Sequence, residues 1–461
     1  MQTGTLRGQA MTPILKAYGV GALSHLTPRI LGLAFAQIRR GRGKQEKNGR
    51  REGIVTDAIQ IVRILRQTLE IHRFPAFCGF TVALRSVLQP FFERLISSNT
   101  ALASDPAREC VLQSRKIFAS FSAGALAAAG GLQLLNSKQK GDAGRTLDLT
   151  LFALTRAIDI IVGELWEKRK EQRKRSGKFT AAEASIGYLA DSAVFALSSG
   201  IIMYAWLYSR ERLPSSYSKQ ITKFAKADER LIEALRRIRS GEYVYGVDTG
   251  QAHLLESYCE DIGLPKAWGD PSQSIPIPCE VVHGAYSKNC EIFALSRFWQ
   301  ATWKTALPIY LGLNMLKFLR PRKPDAVALL QALIGAVRSS AFIGSFIGLF
   351  WYGVCLTRTR LGPKFLPLSP LALDNLCIKV ACVLCGWSIL AENRRRRTEI
   401  MFFVAPRALA TILPRKYDPK YQWIETTTFA AGSGIILSTL KHNPTRVRGV
   451  FGKLLGKILT K

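Results

Sequence analysis

Residues 338–354, RSSAFIGSFIGLFWYGV, decide the fold class predicted for this chain. No charge follows Arg338 in this run, and Gly344 and Gly348 stand four residues apart before the bulky residues 350–352. Glycines at this spacing on an apolar helix let a second backbone approach closely, which is how helices associate where lipid surrounds them. The stretch therefore predicts a membrane-embedded helix with a packing face.

An earlier segment, 114–131 (SRKIFASFSAGALAAAGG), repeats this pattern, with Ser120 and Gly124 in the places of Gly344 and Gly348. Three further pairs of words recur in the same order: PxxxG at 75–79 and 308–312, FALTRAIDII at 152–161 with FVAPRALATI at 403–412, and SGII at 199–202 and 433–436. The pairing of 152–161 with 403–412 rests on residue type. Spacing along the chain instead favours an alignment in which 147–148 corresponds to 373–374. The words predict two related halves that pack through Ser120, Gly124, Gly344 and Gly348.

Apolar residues occur in long blocks separated by basic clusters, and this distribution is more informative than the overall hydrophobic content of 48%. Blocks of about 20 apolar residues are long enough to cross a bilayer core as helices. The chain is therefore predicted to be an all-α, polytopic integral membrane protein with two related helical halves of about four spans each. The predicted spans are 74–92, 117–135, 149–166, 188–208, 304–319, 338–356, 371–391, 400–413 and 424–440.

The same pattern predicts five segments along the chain. They are a basic N-terminal arm over 1–52, a first membrane half with a preceding amphipathic helix over 53–208, a Cys/His-containing connecting domain over 209–302, a second membrane half over 303–440 and a basic amphipathic tail over 441–461.

The formal net charge of +32 admits two classes of partner, nucleic acid and anionic lipid headgroups. Because the basic clusters flank apolar runs, they favour headgroups, and no nucleic-acid partner is predicted. Other copies of the chain or other membrane proteins are the remaining predicted partners.

Among the charged residues within the predicted spans, Arg85, Arg156, Asp159 and Arg407 are the candidates for an intramembrane role. A charge in the bilayer costs several kcal/mol unless it is paired or hydrated. Arg156 and Asp159 are three residues apart and share a helix face. Such residues have two interpretations, a lock between helices or a polar transport pathway.

Cys259, Cys279, His283 and Cys290 are the only cluster of metal-ligand types in the connecting domain. Cys279 and His283 are one helical turn apart, and zinc accepts three cysteines and one histidine. A disulfide, a zinc site and free buried thiols are the three alternatives, and no cofactor other than zinc is considered.

Catalytic signatures are absent, since the sequence has no GxSxG, no HExxH, no phosphate-binding Gly-Lys loop and no dinucleotide fingerprint. No catalytic residue is predicted, and the protein is expected to be non-enzymatic. The alternatives are a membrane-bound enzyme that uses the Cys/His cluster and a peripheral membrane scaffold.

Several words are specific enough to indicate a family. The run WGDP–IPIPCEVVH–NCE–RFW between Trp268 and Trp299, then LPIY and RSSAFIGSFIGLFWYGVC, resembles the transmembrane protein 135 family, in particular its fungal-type members. The resemblance covers about residues 70–455.

This resemblance implies a multi-pass protein of peroxisomal or mitochondrial membranes that acts in membrane organisation or transport, including lipid handling and organelle dynamics. It also implies a distant relation to the mitochondrial inner-membrane translocase channel family, whose small-residue helices form a curved four-helix sheet. The chain departs from the peroxisomal Ser-Lys-Leu address, because its last three residues are Leu-Thr-Lys.

Overall fold

The computed structural model describes residues 2–41, 59–97, 106–138, 141, 143–315 and 325–459. Over these ranges the chain consists of helices and connecting loops, and its only β-type pairing is a bridge between Ala143 and Tyr417. The all-α prediction is thereby confirmed. The predicted arm, the predicted tail and the span 304–319 lie partly outside the described residues.

The α-helices of the described residues are numbered in chain order. They are α1 Gln2–Gly41, α2 59–68, α3 Phe74–Ser97, α4 Pro106–Asn136, α5 Leu147–Arg175, α6 Ala181–Tyr208, α7 Ser215–Ala225, α8 Glu229–Ser240, α9 His253–Asp261, α10 Cys279–Val282, α11 Cys290–Trp299, α12 Leu307–Met315, α13 Ala326–Cys355, α14 Gly362–Phe365, α15 Pro370–Leu384, α16 Arg394–Ile412, α17 Gln422–His442 and α18 Gly449–Leu459. The π-helical turns Gln300–Ala306 and Leu356–Leu361 follow α11 and α13, and a 3₁₀ turn, Cys385–Ala391, follows α15.

Four helical stretches of the described residues are long and apolar enough to cross a membrane. They are Val111–Asn136, Ala181–Tyr208, Ala326–Phe365 and Pro370–Ala391. They fit a multi-pass integral membrane protein, as predicted. Among the described residues, α5 and α16 do not meet this criterion, and both carry charged residues inside their apolar runs. The number of spans in each half stays a prediction.

The chain divides into two compact units. Unit 1 comprises Met1–Phe179 and Arg415–Lys461, and unit 2 comprises Thr180–Pro414. These limits differ from the predicted segments, because α17 belongs to unit 1 and α6 to unit 2.

Unit 1 is a row of helices in which each packs on the next, in the order α1, α3, α4, α17 and α5. Its buried core includes Phe77, Leu132, Ile160 and Phe429. Small residues allow α4 and α17 to approach each other closely. A Cβ added at Gly124 would lie 3.4 Å from the Cα of Gly434, and Ser120, one turn earlier, is fully buried. The predicted small-residue face of α4 therefore packs against α17.

Unit 2 is built around α13, which packs against α11, α12, α15 and the turns that follow α11 and α15. Two glycines of α13 accommodate α11. A Cβ added at Gly348 would lie 3.1 Å from the Cβ of Phe298, and one added at Gly344 would lie 2.8 Å from the Phe298 carbonyl oxygen. Each predicted glycine face thus packs against a helix of its own unit.

Helix α6 completes unit 2 by packing against α16, α15 and the 3₁₀ turn. A Cβ added at Gly200 would lie 3.3 Å from the Cys382 carbonyl oxygen, which explains why a small residue stands there. Each unit therefore contains one copy of each of the four repeated motifs. The two SGII copies are exchanged, because 433–436 belongs to unit 1 and 199–202 belongs to unit 2. The duplication itself stays a prediction.

A thiol–imidazole cluster, buried charges and an apolar cavity

Local backbone structure brings three of the predicted ligand residues together in unit 2. Cys279 begins α10, and His283 is its C-terminal cap, one turn later. Gly284 and Ala285 then adopt positive φ angles of 63° and 57°, which reverses the chain. Cys290 begins the next helix, α11, whose N-cap side chain is supplied by the preceding residue. The ligand atoms of Cys279, His283 and Cys290 all lie within 4.8 Å of one another.

Helix α13 adds a fourth possible ligand residue, Cys355, to this cluster. The Sγ of Cys355 lies 3.2 Å from the Nε2 of His283. The other ring nitrogen of His283, Nδ1, lies 2.7 Å from the Ser287 carbonyl oxygen. Because a carbonyl only accepts, Nδ1 carries the proton and Nε2 presents its lone pair toward the sulfur. The ring of His283 also stacks on Phe293, with 4.2 Å between ring centroids.

The predicted set of four is corrected at one position. Cys259 is fully buried in a separate apolar cluster with Leu231, Tyr243 and Leu255, and Cys355 takes its place beside the other three residues. No local pattern indicates Cys355, since it lies 72 residues beyond His283 on an apolar helix. The three clustered cysteines are free thiols in this structure.

The electrostatic environment favours one thiolate in the cluster. A hydrogen bond from Cys355 lowers the pKa of Cys279 to about 7, with a contribution from the charge of Arg358. Burial raises the pKa of Cys290 and lowers the pKa of His283. His283 is therefore neutral at physiological pH, which is the form that binds metals.

A buried ion pair adjoins the cluster. Arg358, one turn beyond Cys355, has its Nε 3.1 Å from Oδ1 of Asp374, and the two side chains are only 5% and 7% exposed. Burial and the nearby Asp374 raise the pKa of Tyr245, so its phenol keeps the proton and donates to Oδ2 of Asp374 at 2.5 Å. The pair joins α15 to the end of α13.

Each charged residue predicted within a span has a partner inside its own unit. In unit 1, Nη2 of Arg85 donates to the Leu437 carbonyl oxygen at 3.2 Å, and this side chain is buried. In unit 2, Arg407 lies over the ring of Phe403, 3.6 Å from its centroid, and donates to the carbonyl of that residue. Arg156 and Arg407 occupy matching places in the repeated words, yet their surroundings differ.

Arg156 and Asp159 share a partner rather than pairing with each other. Nη1 of Arg156 donates to the Arg448 carbonyl oxygen at 2.8 Å, and Arg448 Nε donates to Oδ2 of Asp159 at 3.0 Å. The Arg156 guanidinium also lies over the rings of Phe152 and Phe451, 5.2 and 5.4 Å from their centroids. These contacts fasten the segment before α18 to α5, which favours the lock over a polar pathway.

Replacing Asp159 with asparagine is expected to weaken this lock by about 1 kcal/mol, since the Arg448 side chain is 41% exposed and solvent screens the pair. Amide hydrogen exchange of residues 446–459 should accelerate about fivefold. The matched control is Asp148→Asn on the same helix, where the carboxylate is 67% exposed. Equal exchange in the two variants would contradict the lock.

An apolar cavity of about 340 Å³ lies among α6, α7, α13 and α16 of unit 2. The side chains that line it are mostly aromatic and aliphatic, and none of those described is charged: Phe195, Ser199, Ile202, Met203, Tyr217, Gln220, Ile221, Phe224, Ala225, Tyr310, Phe342, Ile343, Phe346, Ile347, Phe350, Trp351, Ile400, Phe403 and Val404. The cavity has the size and lining of a small-molecule site.

Two polar features belong to elements that line the cavity. The indole N–H of Trp351 is buried and has no hydrogen-bond partner among the described residues. Helix α7 contributes Tyr217, Ile221 and Phe224 to the lining, while Lys219 and Lys223 on the same helix are exposed. Trp206 holds α7 in place by donating from Nε1 to the Thr222 hydroxyl at 3.0 Å.

Comparisons with protein-family models, with curated proteins and with solved structures return no match to this chain. The fold and its composition alone define the class: an all-helical protein, over the described ranges, with four helices able to cross a membrane.

Proposed function

We propose that the chain is a non-enzymatic, multi-pass organelle membrane protein that handles lipid, and that an acyl chain binds in the apolar cavity of unit 2. The cavity is the observation that supports this proposal. Its aromatic and aliphatic lining matches an acyl chain, which gains about 0.8 kcal/mol for each methylene removed from water.

The polar features at the cavity fit the other end of a lipid. The unpartnered indole N–H of Trp351 can donate to a carboxyl or ester oxygen. Lys219 and Lys223 on the outer face of α7 can contact anionic headgroups, as basic residues of interfacial helices do. An amphiphile with an oxygen-bearing head is therefore the proposed ligand class.

Filling the cavity tests the proposal. The purified chain is placed in vesicles that contain a phosphatidylcholine with a photoactivatable acyl chain, and labelled peptides are mapped after irradiation. We expect labelling concentrated on α7 and on residues 342–351, and Ile343→Trp should reduce it by more than half because the indole occupies the cavity.

Leu333→Trp is the matched control, since this residue is 44% exposed on the same helix and does not line the cavity. It should leave labelling of α7 unchanged. Labelling spread evenly over the apolar helices, or equal in the two variants, would refute lipid binding at this place.

We further propose, from the resemblance of residues 268–299 and 338–355, membership of the transmembrane protein 135 family and a peroxisomal or mitochondrial location. Fluorescently tagged protein should coincide with a marker of one of these organelles. A location confined to the endoplasmic reticulum or the plasma membrane would contradict the proposal.

A further inference from the structure

We propose that Cys279, His283, Cys290 and Cys355 bind a structural zinc ion that ties the connecting segment to the end of α13. This inference is independent of lipid binding, because the four residues lie outside the lining of the apolar cavity.

The donor set and its spacing carry the proposal. Three thiolates and one imidazole form a known tetrahedral zinc environment, with Zn–S and Zn–N distances of about 2.3 and 2.0 Å. Tetrahedral geometry then requires about 3.5–3.8 Å between neighbouring ligand atoms. The Sγ of Cys355 lies 3.2 Å from His283 Nε2, slightly nearer than this, and the ligand atoms of Cys279, His283 and Cys290 all lie within 4.8 Å of one another. Small side-chain movements would complete the site.

The surroundings of His283 add an independent observation. Its Nδ1 is 2.7 Å from a backbone carbonyl, and its ring is held against Phe293. Zinc-bound histidines commonly donate the second ring nitrogen in this way, which holds the tautomer and the ring orientation. The hydrogen bond of Nδ1 therefore leaves Nε2, which already lies beside Cys355 Sγ, as the nitrogen that can bind an ion.

The three alternatives for this cluster differ in what they leave unpaired. A disulfide would use two of the three thiols and leave the third beside the histidine. Free thiols would leave His283 Nε2 with only a weak S–H donor. A zinc ion satisfies all four ligands at once. Because four protein ligands leave no open position, the site is structural rather than catalytic, which argues against the enzyme alternative.

The zinc site would have a mechanical role at the end of a spanning helix. Cys279, His283 and Cys290 all lie within the short segment 279–290, whereas Cys355 is the last residue of α13, directly before the π-helical turn Leu356–Leu361. One ion therefore fastens the short segment 279–290 to a long apolar helix. Binding energy of this kind stabilises the folded state directly.

The test uses the full chain, purified in detergent through a tag without histidines and under reducing conditions. We expect about one zinc ion per chain by elemental mass spectrometry. Exchange of zinc for cobalt should produce the intense visible absorption of a tetrahedral cobalt–thiolate complex. Cys355→Ser should lose most of the metal, and the control Cys259→Ala should keep it, because Cys259 lies in a separate cluster.

Wild-type measurements keep the proposal falsifiable if Cys355→Ser fails to fold. Absence of stoichiometric zinc together with no cobalt spectrum would overturn it. Peptide mapping of protein prepared without reductant would also overturn it by showing a disulfide among the three cysteines. Full metal retention in a monodisperse Cys355→Ser variant would overturn the four-ligand site. Lipid labelling of the cavity has no bearing on these outcomes, so the two proposals can fail separately.

Discussion

Replacing Gly344 with leucine is expected to destabilise unit 2 by about 3 kcal/mol or more, which is the upper end of the cost of overpacking. A Cβ at this position would lie 2.8 Å from the Phe298 carbonyl oxygen and would also collide with the Thr302 hydroxyl. The first contact is with backbone, which cannot turn aside as a flexible side chain does. Helix α11 would have to move away from α13, and the packing gained by close approach would be lost.

The matched control stands on the same helix. A Cβ added at Gly335 meets nothing within 4 Å, so Gly335→Leu should be neutral or stabilising by up to about 1 kcal/mol through helix propensity. Thermal unfolding in detergent, followed by size-exclusion chromatography of heated samples, measures both variants. Similar stabilities of Gly344→Leu and Gly335→Leu would show that the stability of unit 2 does not depend on the close approach of α11 and α13.

Removing one partner of the buried ion pair should have an effect of similar size. We expect Arg358→Met to cost about 3–5 kcal/mol, because Asp374 would be left as a buried charge without its counter-ion. The hydrogen bond from Tyr245 remains, but one neutral donor offsets only part of the cost of burying a carboxylate. The readout is the unfolding temperature of the purified protein in detergent.

Two comparisons separate the charge effect from a general loss of packing. The double variant Arg358→Met/Asp374→Asn should recover most of the lost stability, because neither buried charge is left alone. Lys266→Met breaks an ion pair with Glu260 in which both side chains are more than 60% exposed, and it should change stability by less than about 1 kcal/mol. A double variant as unstable as Arg358→Met would contradict a charge-based explanation.

Several features of the fold were predictable because they depend on residues close together along the chain. Uncharged runs such as 339–357 predict long helices, and four of the predicted spans lie in stretches able to cross a membrane. The spacing of Cys279 and His283 predicts two ligands on one helical turn, and the structure places them within 4.8 Å together with Cys290. Periodicity and spacing suffice for such features.

The partners of the buried charges were not predictable in this way. Arg156 and Asp159 share a helix face, as their spacing predicts, but both contact Arg448, which lies 292 residues beyond Arg156. The sequence around Cys355 indicates only an apolar residue of a spanning helix. Its place beside His283 follows from the packing of α13 against α11. Cys259 has the same residue type as the true cluster members, and only its burial in a different core excludes it.

The sequence by itself determined that the described chain is helical, which segments can cross a membrane and where small residues permit close packing, since these follow from local composition and helical periodicity. Only the tertiary structure decided which helices pack together: α6 packs against α15 and α16, whereas α17 packs against α4 and α5. The physical reason is that a face of small residues permits another backbone to approach closely but does not specify which helix it is. Shape complementarity, such as Gly200 against Cys382 and Gly124 against Gly434, selects which one does.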